Sequence, residues 1–187
     1  MASDPLKLSV QEIRRRWVHG GEPVSGQLLA KLRRDRRRGV RQIHDLLRRR
    51  QDEERRERLR LDAMLNLERV LWRSGVTRIA GVDESGVGPL AGPVVAAAVV
   101  FPPDTELPGV DDSKRLDRER REVLAREIRA TAAGIGVGVV DVPEIDRINV
   151  YHAAGLAMRR AVEALPERPE HLLVDARDLG ELGIPQN

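Results

Sequence analysis

The chain has 187 residues, of which 41% are apolar and 34% charged, a composition typical of a soluble globular protein. This length fits one domain with an appendage and excludes a large multidomain assembly. No apolar run approaches the roughly 20 residues that span a bilayer. The N-terminus lacks the features of a secretory signal, and the absence of cysteine excludes disulfides and thiolate zinc sites. We therefore expect a cytoplasmic protein that does not enter a membrane.

The net charge of +3 is the sum of two unlike parts. Residues 1–75 carry 20 basic and 11 acidic residues, a net charge of +9, whereas residues 76–187 carry 13 and 19, a net charge of −6. This contrast predicts a basic N-terminal extension over residues 1–75, followed by an acidic body over residues 76–187.

The basic extension has a helical pattern, because its aliphatic residues recur at spacings of three and four over residues 8–18 and 27–47. From residue 45 to 73, Glu and Arg interleave at helical spacing, which favours a solvated helix or helical linker. The segment LRRDRRRGVRQ differs, since its arginines are dense enough to neutralise several phosphates. These are Arg33, Arg34, Arg36, Arg37, Arg38 and Arg41.

After Gly75 the chain changes to short β-rich runs separated by glycine and proline. RIAGVDE and PVVAAAVVF predict two neighbouring strands, GIGVGVVDV a third and HLLVDA a fourth. LDRERREVLAREIRATA and PEIDRINVYHAAGLAMRRAVEAL each predict an amphipathic helix. Strands mixed with such helices are typical of an α/β body.

Three acidic residues lie at the ends of apolar runs: Asp83 and Glu84 after RIAGV, and Asp175 after HLLV. Strand ends are where α/β sheets present ligands, and carboxylate oxygens suit Mg²⁺ or Mn²⁺. Two such ions can activate water for phosphodiester hydrolysis. A single acid at a strand end is more often a turn or cap residue. The tandem pair, repeated by a third acid on a later strand, favours a site.

The turn SGVGPLAGP follows the acidic pair. Gly86 and Gly88 allow positive φ and leave backbone N–H groups unshielded, so that a phosphate or ribose could approach the main chain. The turn lacks the GK[ST] ending of a phosphate-binding loop and the glycine spacing of a dinucleotide-binding loop. Taken alone, it predicts only a tight turn between strands.

The run GVDESGVGPLAGPVVAAAVV resembles the signature of the ribonuclease HII family, in which Asp and Glu precede a small residue, Gly-Arg-Gly, Pro-Leu-Ala-Gly-Pro and an apolar strand. The resemblance continues in order through VDDSKRLDRERREVL, IDRINVYHAAGLAMRRAVEAL and HLLVDA. It covers about residues 78–175. A basic helical extension similar to residues 6–75 precedes the catalytic domain in some members.

This resemblance implies an α/β ribonuclease H-like fold, with a mixed sheet and flanking helices. It implies an endonuclease that uses Mn²⁺ or Mg²⁺ to cut the RNA strand of RNA–DNA hybrids, including ribonucleotides embedded in DNA. Carried over by position, Asp83, Glu84 and Asp175 are the catalytic and metal-binding carboxylates. We expect a monomer that needs no protein partner.

The resemblance also implies substrate-binding residues. The turn formed by Gly86, Val87 and Gly88 would sense the ribose 2′-hydroxyl, which separates RNA from DNA. Lys114, in the DSK motif, would contact the substrate, and a surface salt bridge is its alternative role. Val87 stands where the family usually has arginine. Because valine lacks the positive charge of arginine, we expect weaker substrate binding rather than altered chemistry.

The family's fourth active-site aspartate, in a motif of the type AKVxRD, and a sugar-stacking tyrosine both lie downstream of the final IPQN. We therefore expect an incomplete catalytic domain over residues 76–187, with an apolar sheet face left in water and weak or no activity. Two alternatives to an active enzyme stay open. One is a nucleic-acid-binding remnant with salt-dependent affinity, and the other is a truncated fragment of such an enzyme.

Overall fold

The computed structural model describes residues 7–88, 92–175 and 177–187. The chain divides into two units, Met1–Asp62 and Ala63–Asn187. The domain boundary that the sequence places after residue 75 stays a prediction. Across the described residues, no helix combines the length and apolar character needed to cross a bilayer.

The first unit is helical, as its pattern predicts. Its elements are α1 (Val10–Ile13), a π-helical turn (Arg14–His19), α2 (Gly26–Arg34) and α3 (Arg38–Met64), the last of which runs past the end of the unit. Ser9 begins α1 with a capping box, in which its hydroxyl accepts from the Glu12 N–H and the Glu12 side chain accepts from the Ser9 N–H. Large side chains form the core of this unit: Ile13, Trp17, Leu28, Leu32, Val40, Ile43 and Leu47.

The helix predicted over residues 27–47 is interrupted. Asp35 ends α2 with extended backbone angles (φ −68°, ψ 135°), and α3 begins only at Arg38. The Asp35 carboxylate accepts hydrogen bonds from the backbone N–H and the guanidinium of Arg37. Side-chain bonding to nearby backbone, which Asp makes readily, thus replaces one turn of helix here.

The second unit contains a four-stranded mixed sheet in the order β3-β2-β1-β4, which confirms the predicted fold class. In chain order its elements are α4 (Asn66–Arg73), β1 (Ile79–Ser85), β2 (Val94–Val100), α5 (Arg118–Thr131), β3 (Gly134–Val140), α6 (Val142–Glu163) and β4 (His171–Val174). β2 is antiparallel to both β1 and β3, whereas β4 pairs with β1 in parallel. The connection through α6 therefore runs from one edge of the sheet to the other.

Small residues allow α6 to lie very close to the sheet. A Cβ atom on Gly138 would stand 1.9 Å from the carbonyl oxygen of Ala157, and one on Gly136 equally close to that of Ala161. The facing strand residues Ala96 and Ala98 are also small and fully or almost fully buried. On the opposite face of β3, Val137 and Val139 are about half exposed (54% and 47%).

Helix α6 is predicted as one helix but is kinked at Asn149. This residue has φ 67° and ψ 162°, and its side-chain oxygen accepts a hydrogen bond from the His152 N–H at 3.1 Å. Asn149 therefore caps a new helical segment inside α6. Tyr151 and His152 lie in the helical segment that follows this kink.

Candidate active site

The parallel pairing of β1 with β4 brings two of the predicted acids together. Val82 lies opposite Val174, and the next residues along the two strands are Asp83 and Asp175. The Asp175 N–H donates to the Val82 carbonyl at 3.3 Å, so that the two aspartates stand side by side where the parallel ladder ends. Both are exposed. This is the edge at which parallel strands present ligands.

Asp83 and Glu84 point to opposite faces of the sheet, because side chains alternate along a strand. Asp83 lies opposite Ala97 and is exposed, and its carboxylate accepts a hydrogen bond from the Glu84 N–H at 2.8 Å. Glu84 lies opposite the buried Ala96, on the face covered by α6, and its side chain is only 18% exposed. The tandem acids of the sequence therefore have different surroundings.

Glu84 has no close hydrogen-bond partner among the residues that the structure describes. Its Oε2 atom is buried without one, and its Oε1 atom lies 3.9 Å from Nε of Arg177, which is too long for a hydrogen bond. An unpaired buried carboxylate oxygen is costly, since burial removes the water that would solvate it. Such a group is often found where a ligand or ion completes the site.

Arg177 is held in place by Tyr151, the second residue after the kink in α6. Its Nη1 donates to the Tyr151 carbonyl oxygen at 3.0 Å, and its guanidinium carbon lies 4.5 Å from the centre of the Tyr151 ring. The Arg177 side chain is only 14% exposed, whereas Tyr151 is 66% exposed, so the guanidinium is shielded from water but the ring is not. Arg177 thus lies between the Tyr151 ring and the Glu84 carboxylate, which is 3.9 Å from its Nε atom.

Sequence reasoning did not single out Arg177. Its position two residues after Asp175 was the available signal, since a cation so close to predicted metal ligands can set their orientation. Its contact with Tyr151 depends on the kink at Asn149, which helical periodicity does not reveal.

The three predicted metal ligands do not converge on one point. Among the residues that the structure describes, no group of three or more Asp, Glu or His side chains is arranged to hold a metal ion. The structure places Asp83 and Asp175 together and turns Glu84 to the other face of the sheet. Their roles in catalysis and metal binding stay predictions.

The glycine turn after β1 has a backbone that requires glycine at its first position. Gly86 has φ 98°, and a Cβ atom there would lie 2.5 Å from the Pro93 carbonyl oxygen. Val87 is half-buried and packs against the core of the second unit, whereas a Cβ on Gly88 would have no atom of the described residues within 4 Å. Residues 89–91 of the motif lie outside the described residues. Substrate contact by this turn stays a prediction.

Lys114 lies in a short 3₁₀ turn, Ser113–Arg115, and is exposed. Its backbone N–H donates to Asp112, and its ammonium group forms no ion pair within the described part of the chain. The neighbouring Arg115 forms an ion pair with Asp111 instead, with Nη1 3.6 Å from Oδ1. The surface salt bridge considered for Lys114 is therefore not made with the described residues.

Comparison with known proteins matches both parts of the chain. A family model described as Ribonuclease HII matches residues 80–183, and one described as Ribonuclease HII N-terminal domain matches residues 9–72. The ribonuclease HII of Myxococcus xanthus (strain DK1622) is 50% identical over 182 residues, which are 97% of this chain and 62% of the relative. That of Anaeromyxobacter sp. (strain Fw109-5) is 47% identical over 183 residues, which are 98% and 58%.

One solved structure supports the fold. The crystal structure of ribonuclease H2 from Pyrococcus horikoshii OT3 matches with 27% identity and a TM-score of 0.50, covering 57% of each chain. The chain spans about three fifths of the length of the two curated relatives. Because the ribonuclease HII model covers more than half of the chain, the predicted resemblance is confirmed, and the chain belongs to the ribonuclease HII family.

Proposed function

We propose that this chain is a metal-dependent endonuclease that hydrolyses the RNA strand of RNA–DNA hybrids, including single ribonucleotides embedded in DNA. Family membership supports the class of reaction. The observation that carries the proposal for this chain is the pairing of β1 with β4, which sets Asp83 beside Asp175 at the end of the parallel ladder. An exposed edge with adjacent carboxylates is accessible to a large polymeric substrate.

The donor set fits a hard divalent cation. Asp83, Glu84 and Asp175 offer only carboxylate oxygens, and the buried Oε2 of Glu84 has no protein partner. We propose that these three residues hold Mg²⁺ or Mn²⁺, which requires the Glu84 side chain to move from the face covered by α6 towards the two aspartates. When bound, such an ion makes a nearby water more acidic and stabilises charge on the phosphodiester oxygens.

The chain's own residues would orient the substrate around these acids. We propose that backbone N–H groups of the turn Gly86, Val87 and Gly88 contact the ribose 2′-hydroxyl, since no atom of the described residues would lie within 4 Å of a Cβ on Gly88. Lys114 would contact a backbone phosphate, because its ammonium group is exposed and forms no ion pair with the described residues. Val87 contributes packing rather than charge at this turn.

The test is cleavage of a labelled DNA duplex containing one ribonucleotide, with Mg²⁺ and then Mn²⁺. We expect the purified full chain to cut at the ribonucleotide, and Asp83→Asn to reduce the rate by about 100-fold or more, because a neutral amide binds a hard cation poorly. Asp104→Asn is the matched control, since Asp104 is an exposed loop residue with φ 60° that asparagine also tolerates. We expect it to cut at the wild-type rate.

A second candidate function is nucleic-acid binding without cleavage. It is favoured by one observation: within the described part of the chain, the three carboxylates do not converge on a common point. Cleavage that persists in a chelator, or equal rates for Asp83→Asn and wild type, would contradict the metal site. Tight hybrid binding by a wild-type chain that cuts nothing with either metal would establish the second candidate.

A further inference from the structure

The connection between α2 and α3 carries an unusually dense positive charge. Six arginines lie within residues 33–41, spanning the last turn of α2, the three-residue connection and the first turn of α3. Five of them are exposed, and none of the five forms an ion pair with any residue that the structure describes. We define these five as the arginine surface: Arg33, Arg34, Arg36, Arg38 and Arg41.

The sixth arginine has a structural role. Arg37 lies against Asp35, with Nη2 2.6 Å from Oδ2, and its Nη1 donates to the Leu8 carbonyl oxygen at 2.6 Å. This hydrogen bonding lowers the pKa of the Asp35 carboxyl, whose side chain is only 7% exposed. Arg37 therefore connects two segments of the first unit instead of facing solvent freely.

The Asp35–Arg37 pair also neutralises the carboxylate that lies closest in sequence to the arginine surface. Asp35 is the single carboxylate in the sequence between Pro23 and His44, and it is largely buried against Arg37. Nothing else acidic in that stretch offsets the arginine surface. Its five positive charges therefore have no other acidic neighbour in the sequence until Asp45, one turn after Arg41, unlike the arginines of the middle of α3, which alternate with Glu53, Glu54 and Glu57.

Helix stability does not account for all of these arginines. Arg33 and Arg34 lie in the last turn of α2, where the helix dipole favours cations. Arg38 and Arg41 lie at the beginning of α3, where the dipole disfavours them, and the first turn of α3 contains no acidic residue. Mutual repulsion adds to this cost. A bound polyanion would remove both penalties.

We propose that the arginine surface binds the phosphate backbone of a nucleic-acid duplex without reading its sequence. Base stacking needs an exposed aromatic ring, and the aromatic residue of this unit, Trp17, is 8% exposed and belongs to its core. Guanidinium groups instead suit phosphate oxygens, which they bind in a bidentate manner. This inference goes beyond the proposed cleavage, because it needs neither a metal nor an intact active site.

The size of the contact predicts its salt dependence. Each neutralised phosphate contributes about −0.9 to the slope of log K against log salt, so five contacts predict a slope of about −4 to −5. Removing three arginines should reduce the magnitude of the slope by about 2.7.

The experiment measures binding of the full-length chain to a fluorescent RNA–DNA hybrid and to a DNA duplex of the same sequence, in chelator, between about 50 and about 200 mM salt. The test variant is Arg33→Ala/Arg36→Ala/Arg41→Ala. The matched control is Arg55→Ala/Arg56→Ala/Arg58→Ala, which loses the same charge from exposed positions of α3. We expect the test variant to bind both duplexes at least tenfold more weakly and the control to stay within about threefold of wild type.

Equal losses of duplex affinity in the two variants would overturn the proposal, since they would show that only the net charge of the chain matters. A salt-independent affinity would also overturn it. The conservative variant Arg33→Lys/Arg36→Lys/Arg41→Lys separates binding from folding, because it should keep most of the slope. Tighter binding to vesicles of anionic phospholipid than to either duplex would overturn the choice of nucleic acid. Since no metal is present, a failure of the proposed cleavage leaves these results unaffected.

Discussion

Each unit of the molecule contains an arginine–carboxylate pair whose carboxylate is largely shielded from water, and the two pairs differ in completeness. In the first unit, Arg37 and Asp35 approach to 2.6 Å, and the arginine also binds a backbone carbonyl. In the second, Nε of Arg177 lies 3.9 Å from Oε1 of Glu84, and Oε2 of Glu84 has no hydrogen-bond partner in the described part of the chain. Removing one partner of a buried charged pair destabilises a fold, whereas a buried carboxylate that has no partner already reduces its stability. The contrast separates a structural pair from a site that can accept a ligand.

The largest effect on stability should come from Asp35→Asn. The change leaves the Arg37 guanidinium without its carboxylate and replaces charge-assisted hydrogen bonds by weaker ones. We expect weaker amide protection across residues 9–47, measured by hydrogen exchange of the full chain. Asp52→Asn is the control, because Asp52 is 54% exposed and lies 3.8 Å from Arg48. Equal loss of protection in the two variants would contradict a structural role for the Asp35 pair.

The Asp35–Arg37 pair should also make the stability of the first unit depend on pH in the acidic range. The hydrogen bonds from Arg37 lower the pKa of Asp35 below its ordinary value of 3.8. A carboxyl with a lowered pKa contributes stability above its unfolded pKa, and that contribution is lost as the pH falls through the folded value. Wild type should therefore lose protection in this unit below about pH 4, and Asp35→Asn should lose less over the same range. Parallel acid titrations would refute the assignment.

A smaller effect on stability is expected for Arg177→Ala. The variant loses the contact with the Tyr151 ring and the hydrogen bond to its carbonyl, together about 1 kcal/mol. If Arg177 positions Glu84, Mn²⁺ affinity measured by water-proton relaxation should fall by about tenfold, and Arg177→Lys should restore only part of it. Arg159→Ala is the control, since Arg159 pairs with Glu181 at 3.5 Å. Unchanged Mn²⁺ affinity would exclude a positioning role.

Much of the fold follows from sequence pattern, and the differences have physical causes. Apolar runs bounded by glycine and proline located all four strands, because a strand needs only a local alternation or a short buried run. The break at Asp35 and the kink at Asn149 depend on single side chains that bond to nearby backbone, which periodicity does not detect. The packing of α6 on Gly136 and Gly138 likewise depends on tertiary approach.

The candidate site shows the same division. The sequence placed Asp83 and Asp175 at strand ends, and parallel pairing then set them side by side. It could not show that Glu84 faces the other side of the sheet with an unpaired oxygen, because that depends on where β1 begins its alternation relative to α6. The sequence also could not predict the contact of Arg177 with Tyr151, because it joins residues 26 positions apart in the folded chain.

The smallest effect, and the sharpest test of the contrast, is expected for Glu84→Gln. A neutral amide of nearly the same shape removes a buried charge that lacks a hydrogen-bond partner, so the thermal stability of the second unit should stay within about 0.5 kcal/mol of wild type or rise. Under the proposed function the same change should reduce cleavage, because an amide is a poorer ligand for a hard cation.

Hydrogen exchange over residues 79–100 and the single-ribonucleotide assay measure the two effects of Glu84→Gln on one protein. A loss of protection as large as that of Asp35→Asn would mean that Glu84 is a structural partner of Arg177, and the distinction between the two pairs would be wrong. Unchanged or increased protection together with lost cleavage is the outcome that only an incomplete, ligand-accepting site predicts.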